Sequence, residues 1–140
     1  MTKKQFTFWI VFLCFSISNT FAETLFDRTT LTPSVSVAGK MTIDKFQVLL
    51  TQGFKSVIVN RPDNERGNLV TASQLRQISE KSQVSLVYQP VISGKISQQD
   101  VIEFSKYYNS LPKPILMICK SGSRSTSLFN QAKEAGLLHE

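Results

Sequence analysis

Two rhythms of apolar and polar positions run along the chain from residue 34 onward. Ser34-Val35-Ser36-Val37 alternates with period two, the pattern of a half-exposed strand. Gly39 interrupts it. Thr42 to Gln52 carries Ile43, Phe46, Leu49 and Leu50 at helical spacing, with Thr42 placed to cap the start and Gly53 to stop the end. Val57-Ile58-Val59 is a continuous apolar run, which predicts a strand buried on both faces. It gives way to the polar, turn-rich segment Asn60 to Gly67. Thr71 to Ser82, with Leu75 and Ile78 on one side, predicts a second helix. Val84 to Val91 predicts a further strand, ending at Pro90, before the loop Ser93-Gly94-Lys95. Ser97 and Asp100 form a capping-box-like pair at the head of a third helix, which carries Val101, Ile102, Phe104 and Tyr108 on one side. Leu111-Pro112-Lys113-Pro114 stops it. Ile115-Leu116-Met117-Ile118 predicts a fourth strand, and Arg124 to Ala135 a last helix closed by Gly136.

Buried strands alternating with amphipathic helices predict an α/β domain around a mainly parallel sheet. Ligands of such sheets bind outside the carboxyl ends of the strands. Three segments fall there: Asn60 to Gly67, Gln89 to Lys95, and the loop that begins at Cys119.

The first 22 residues follow neither rhythm. Lys3 and Lys4 precede the nearly unbroken apolar run Phe6 to Phe15, and Ala22 offers a small residue at a cleavage point. This pattern predicts a signal peptide over 1–22, an exported and periplasmic protein, and a domain over 23–140. An uncleaved membrane anchor is the alternative, although the apolar run falls short of the ~20 residues a span needs.

Composition sharpens the picture at two points. The chain has 140 residues, net charge +6 and two cysteines, Cys14 and Cys119. Without 1–22 it loses Lys3, Lys4 and no acid, so the charge becomes +4 and Cys119 is the one cysteine left. No disulfide can then form within the domain, and any resolving thiol must come from another molecule. The single histidine, His139, lies in the C-terminal tail and excludes a His-rich metal site. The basic residues are scattered, with no interleaved aromatic run that would mark a nucleic-acid face. Nothing in the sequence points to a metal or a nucleotide cofactor.

The segment Ile118-Cys119-Lys120-Ser121-Gly122-Ser123-Arg124-Ser125 concentrates the chemistry. A buried strand delivers a cysteine to the sheet edge, a short loop follows, and a helix begins. Backbone N–H groups from Lys120 to Arg124 can curl around an anion as a nest. Gly122 allows the backbone angles this needs. The helix N-terminus adds positive partial charge, and Arg124 adds a planar fork for an oxyanion. Together these favour Cys119 as thiolate, the nucleophilic form. Ser125 can donate to the sulfur or to a leaving group, and Lys120 adds charge at the rim.

Cys119 through Ser125 resembles the active-site loop shared by rhodanese sulfurtransferases and cysteine-dependent phosphatases. The wider chain is similar to the phosphatase-like domain of β-lactamase-hydrolase-like proteins, also described as a sulfurtransferase family. Leu31 to Gly39, Gly53 to Asp63, Tyr88 to Val91 and Cys119 to Ser125 carry the likeness in order. The resemblance implies a three-layer, dual-specificity-phosphatase-like fold with a mainly parallel sheet of four to five strands flanked by helices. In other members the domain adjoins a metallo-β-lactamase-like domain linked to sulfide and persulfide metabolism.

Two departures bear on the reaction. Phosphatases of this type place five residues between Cys and Arg; here there are four, Lys120 to Ser123. Their aspartate acid lies in the loop after the strand resembling Tyr88 to Val91; here that loop reads Ile92-Ser93-Gly94-Lys95, without a carboxylate. The resemblance, so modified, implies a sulfurtransferase working through a Cys119 persulfide held by Arg124, with a small sulfur-containing substrate and an external thiol acceptor. The alternative is a phosphate-ester hydrolase on the same Cys119 and Arg124, with Asp63, or Glu65 from the same loop, as candidate acid and Arg61 at the rim. The third reading is a catalytically silent anion- or redox-sensing module.

Overall fold

Val35–Ala38, Ser56–Val59 and Ile115–Ile118 are strands in which every residue is buried. They form the centre of a five-stranded sheet in the computed structural model, which describes residues 28–140. The predicted signal segment lies outside the described residues. In chain order the elements are β1 (Arg28–Thr32), β2 (Val35–Ala38), α1 (Ile43–Leu50), β3 (Ser56–Val59), α2 (Ala72–Lys81), β4 (Ser85–Tyr88), α3 (Gln98–Ser110), β5 (Ile115–Ile118) and α4 (Ser123–Glu134). The sheet order is β1-β2-β5-β3-β4. β1 runs antiparallel to β2, and the other neighbours are parallel.

The apolar strands still alternate, but between two cores. Val57, Val59, Leu116 and Ile118 face one layer, where Phe46 and Leu49 of α1 and Leu75 of α2 pack. Ile58, Ile115 and Met117 face the other, against Phe104 and Tyr108 of α3 and Leu128 and Phe129 of α4. Helices therefore cover both faces, giving the three layers expected. Phe46, Leu49, Phe104 and Leu128 are fully buried, each contributing about 1.5–3 kcal/mol of hydrophobic stabilisation.

The helix starts follow the sequence signals. Thr42 caps α1 by accepting from the Lys45 N–H, and Thr71–Gln74 and Ser97–Asp100 form reciprocal capping boxes on α2 and α3. Two features differ from expectation. β1 is a strand that the periodicity does not mark, because Arg-Thr-Thr-Leu-Thr has no apolar face of its own. Its presence explains the second difference. β2 is buried throughout instead of half-exposed, since β1 and β5 flank it and Arg28 covers its polar side. Arg28 Nη1 donates to the Ser36 hydroxyl at 3.1 Å, and the guanidinium lies 5.5 Å from the Phe54 ring centroid.

Backbone pairing continues past the strand ends and fixes the site. Cys119 N–H donates to Ala38 O (3.1 Å), Asn60 N–H to Ile118 O (2.7 Å), Gln89 N–H to Val59 O (2.9 Å) and Val91 N–H to Asn60 O (2.9 Å). The carboxyl tips of β2, β5, β3 and β4 are thus tied side by side.

Candidate active site

Cys119 stands one residue beyond β5 and is 1% exposed. The loop then turns through Gly122, whose φ of +89° makes it the left-handed N-cap of α4. This turn aims the Gly122 N–H at Cys119 Sγ, 3.0 Å away. Gly39, at the tip of β2, lets the loop lie close: a Cβ there would stand 3.0 Å from both Lys120 O and Ser121 Cα. Burial pushes the Cys119 thiol up. Hydrogen bonds from the Ser125 amide and hydroxyl and from the Ser121 and Gly122 amides outweigh it, so the thiol lies below its ordinary 9.0.

Arg124 is 6% exposed and reaches across the tips of β3 and β4. Its Nη1 donates to Val91 O at 2.9 Å, and its Nη2 lies 2.9 Å from Glu65 Oε2. Its Nε is buried and makes no hydrogen bond. A guanidinium N–H left unpaired in a buried place is costly, and it marks where an acceptor belongs. Ser125, fully buried, donates to Asn60 Oδ1 at 2.8 Å, and Asn60 Nδ2 donates to Gln89 O at 3.2 Å. The Ser125 hydroxyl has one proton, which serves either Asn60 or the sulfur.

The segment after β3 contributes in two different ways. Arg61 is 4% exposed; its Nε donates to Glu65 Oε1 at 3.1 Å and its Nη2 to Arg66 O at 2.9 Å. Glu65 therefore holds Arg61 and Arg124 together. The Arg124 hydrogen bond lowers the Glu65 carboxyl; burial opposes it, and the charges of both arginines add to the lowering. Glu65 is an ionised anchor at neutral pH. Asp63 points elsewhere. Its Oδ1 accepts from the Ala72 N–H at 2.8 Å, at the start of α2, and its own N–H donates to the Tyr88 hydroxyl.

Of the sequence-derived residues, Ser121, Gly122 and Ser125 bond to the Cys119 sulfur, Lys120 and Ser123 are exposed on the same loop, Arg61 is linked to Arg124 through Glu65, and Asp63 is tied to α2. Asn60 and Gly39 are structural contributors that the sequence does not single out, and Glu65, a candidate acid by sequence, is instead an ion-pair partner of two arginines. Position at a strand tip is the one signal that Asn60 and Gly39 offer. For Glu65 the sequence offers a carboxylate in a loop at the strand tip, but not its arginine partners.

A buried cysteine, a nest of loop amides, a helix N-terminus and a following arginine, all at the carboxyl edge of a mainly parallel sheet, are the features of a phosphatase-like domain. The chain belongs to the family described as β-lactamase hydrolase-like protein, phosphatase-like domain, whose model matches residues 27–136. It is 28% identical over 95 residues to a β-lactamase hydrolase-like protein of Agrobacterium fabrum, covering 68% of this chain. It spans 22% of the length of that relative. A solved structure of a candidate phosphatase from Neisseria meningitidis Z2491 superposes with a TM-score of 0.70 at 26% identity, covering 76% of each chain. One from Shewanella putrefaciens CN-32 gives 0.65 at 18% identity, over 79% of this chain and 69% of that one, and shows the shared fold.

Proposed function

We propose that this domain hydrolyses a phosphorylated substrate through a phosphocysteine at Cys119. The observation that carries the reading is the pairing of two features on one loop: a sulfur held by the Ser121, Gly122 and Ser125 amides, and Arg124 with a buried, unpaired Nε donor. A phosphoryl group offers hard anionic oxygens to such donors, whereas the outer sulfur of a persulfide is a weak acceptor. Family membership and the shared phosphatase-like fold support the same direction.

The chemistry follows from the placement. Cys119 thiolate attacks phosphorus, forming an S–P bond as the P–O bond to the leaving group breaks. The loop amides and Arg124 Nε receive the charge that builds on the equatorial oxygens. Water then attacks the phosphocysteine, the S–P electron pair returns to sulfur, and inorganic phosphate leaves. Glu65 and Val91 O hold the guanidinium so that it need not reorganise during the reaction.

Sulfur transfer through a Cys119 persulfide is the second reading, and two observations favour it. The loop has four residues between Cys119 and Arg124, and no carboxyl group among the described residues is placed as a proton donor: Asp63 is bonded to Ala72 and Glu65 is ionised. A sulfane-sulfur donor needs no such acid. The deciding experiment offers purified protein p-nitrophenyl phosphate, and separately thiosulfate with cyanide, and determines the Cys119 adduct by mass spectrometry. Phosphate release with a phosphoryl adduct supports the proposal. Thiocyanate formation with a sulfur adduct and no phosphate release overturns it. Neither adduct would leave the silent anion-binding module. Cys119→Ser abolishes turnover in either enzymatic case.

A further inference from the structure

At the tips of β2, β5 and β3 lies a cavity of about 540 Å³ lined by Lys40, Arg61, Arg66, Gly67 and Lys120. Four of these five residues are cations, none is acidic, and Lys120 joins the cavity directly to the Cys119 loop. Lys40, Arg66 and Lys120 are exposed and have no carboxylate partner among the described residues. Arg61 is not an ordinary surface cation. It is 4% exposed, yet it forms part of the wall, held by Glu65 through Nε and by Arg66 O through Nη2. Its Nη1 makes no hydrogen bond to the described residues. Gathering four cations around one hollow costs self-repulsion unless an anion occupies it.

A second observation is independent of this charge. Among the described residues the site lacks a positioned acid, because Asp63 is bonded to the Ala72 N–H, Glu65 is paired with two arginines, and Ile92 to Lys95 contains no carboxylate. An alkoxide leaving group is strongly basic and departs badly unless protonated. A phosphate leaving group, with its second pKa near ~6, departs as an anion and gains from cations instead.

We infer that the substrate is a phosphoanhydride, with its terminal phosphoryl group taken by Cys119 and its leaving phosphate received by the cavity of Lys40, Arg61, Arg66 and Lys120. The inference rests on the phosphatase reading and narrows its substrate class. Cys119 sulfur bonds to the terminal phosphorus, and the bridging P–O bond breaks with its electron pair on the leaving phosphate. Water then cleaves the S–P bond and gives inorganic phosphate.

The test measures kcat/KM for inorganic pyrophosphate, p-nitrophenyl phosphate and glycerol 2-phosphate. The wild type, Cys119→Ser and the double variant Lys40→Ala, Arg66→Ala are compared. Both substituted cations are exposed, and circular dichroism checks the fold. Pyrophosphate is expected to be turned over and glycerol 2-phosphate hardly at all. The double variant should lower the ratio of pyrophosphate to p-nitrophenyl phosphate kcat/KM by about tenfold or more. If Cys119-dependent p-nitrophenyl phosphate turnover is present but pyrophosphate is ignored, the inference fails and the phosphatase reading stands. The same holds if glycerol 2-phosphate matches pyrophosphate, or if the double variant leaves the ratio unchanged. If no probe releases phosphate through Cys119, the phosphatase reading itself fails and takes the inference with it.

Discussion

Glu65 Oε2 lies 2.9 Å from Arg124 Nη2, and this pair decides which part of the guanidinium remains for a ligand. With Nη1 on Val91 O and Nη2 on Glu65, the buried Nε is the donor left over. Glu65→Gln keeps an acceptor but removes the charge that fixes both Arg124 and Arg61. Loss of a fully buried ion-pair partner costs about 3–5 kcal/mol, and the partial exposure of Glu65 should reduce this to about 1–3 kcal/mol. Denaturant unfolding measures that loss, and kcat/KM should fall by at least about tenfold as Arg124 loses its orientation.

The same pair makes stability depend on acidity. The folded Glu65 carboxyl lies below its ordinary 4.5, chiefly through the Arg124 hydrogen bond and against the effect of burial. A depressed carboxyl contributes stability above its unfolded pKa and loses it as pH falls through the folded one. Wild type should therefore lose stability as pH drops below about 4.5, and Glu65→Gln should lose less over that window. Parallel unfolding curves for the two proteins below pH 4.5 would contradict this.

Asp63→Ala separates a structural carboxylate from a catalytic acid. Asp63 Oδ1 accepts from the Ala72 N–H at the start of α2, so the variant should lose about 1 kcal/mol of stability. An acid in proton transfer would be worth about 10²–10⁴ in rate. The expected change in kcat is within about threefold, far below that range. A loss of two orders of magnitude, together with loss of the basic limb of the pH profile, would make Asp63 the acid after all.

What the sequence disclosed follows the distance along the chain. The Cys119–Ser125 cradle is contiguous, so strand, glycine turn and arginine could be read directly. Helix starts were equally local, because Thr42, Thr71 and Ser97 act on residues three positions ahead. The Glu65–Arg124 and Asn60–Ser125 contacts join residues 59 and 65 positions apart, and only the register of β3 beside β5 brings them together. β1 is silent in the sequence for a related reason. A Thr-rich edge strand pairs through its backbone and leaves no apolar period to detect. Its pairing is also what turned β2 from half-exposed to buried.

Gly39 should be intolerant of even a methyl group. The Cβ of Gly39→Ala would meet Lys120 O and Ser121 Cα at 3.0 Å, and both are backbone atoms that move only if the cradle moves. Overpacking of this kind costs about 1–3 kcal/mol. The functional loss should be larger than the stability loss suggests, because a displacement of about 1 Å can cost about 10² in rate. Thermal unfolding and kcat/KM measured on the same sample distinguish the two effects.

The state of Cys119 gives a direct measure of the cradle. Burial and hydrogen bonding act on the thiol in opposite directions, and the hydrogen bonds prevail, leaving it below 9.0. Iodoacetamide reacts with the thiolate, so the pH dependence of alkylation reports the balance. The wild-type midpoint should lie below 9.0, and the rising limb of kcat/KM should share it. Ser125→Ala removes the hydroxyl but leaves the Ser125, Ser121 and Gly122 amides in place. Its midpoint should therefore move up only part of the way. Ser125→Thr retains the hydroxyl and should restore most of the shift if the larger side chain fits beside Asn60. A wild-type midpoint at or above 9.0 would mean that burial prevails, and Cys119 would then be a core thiol and not a nucleophile.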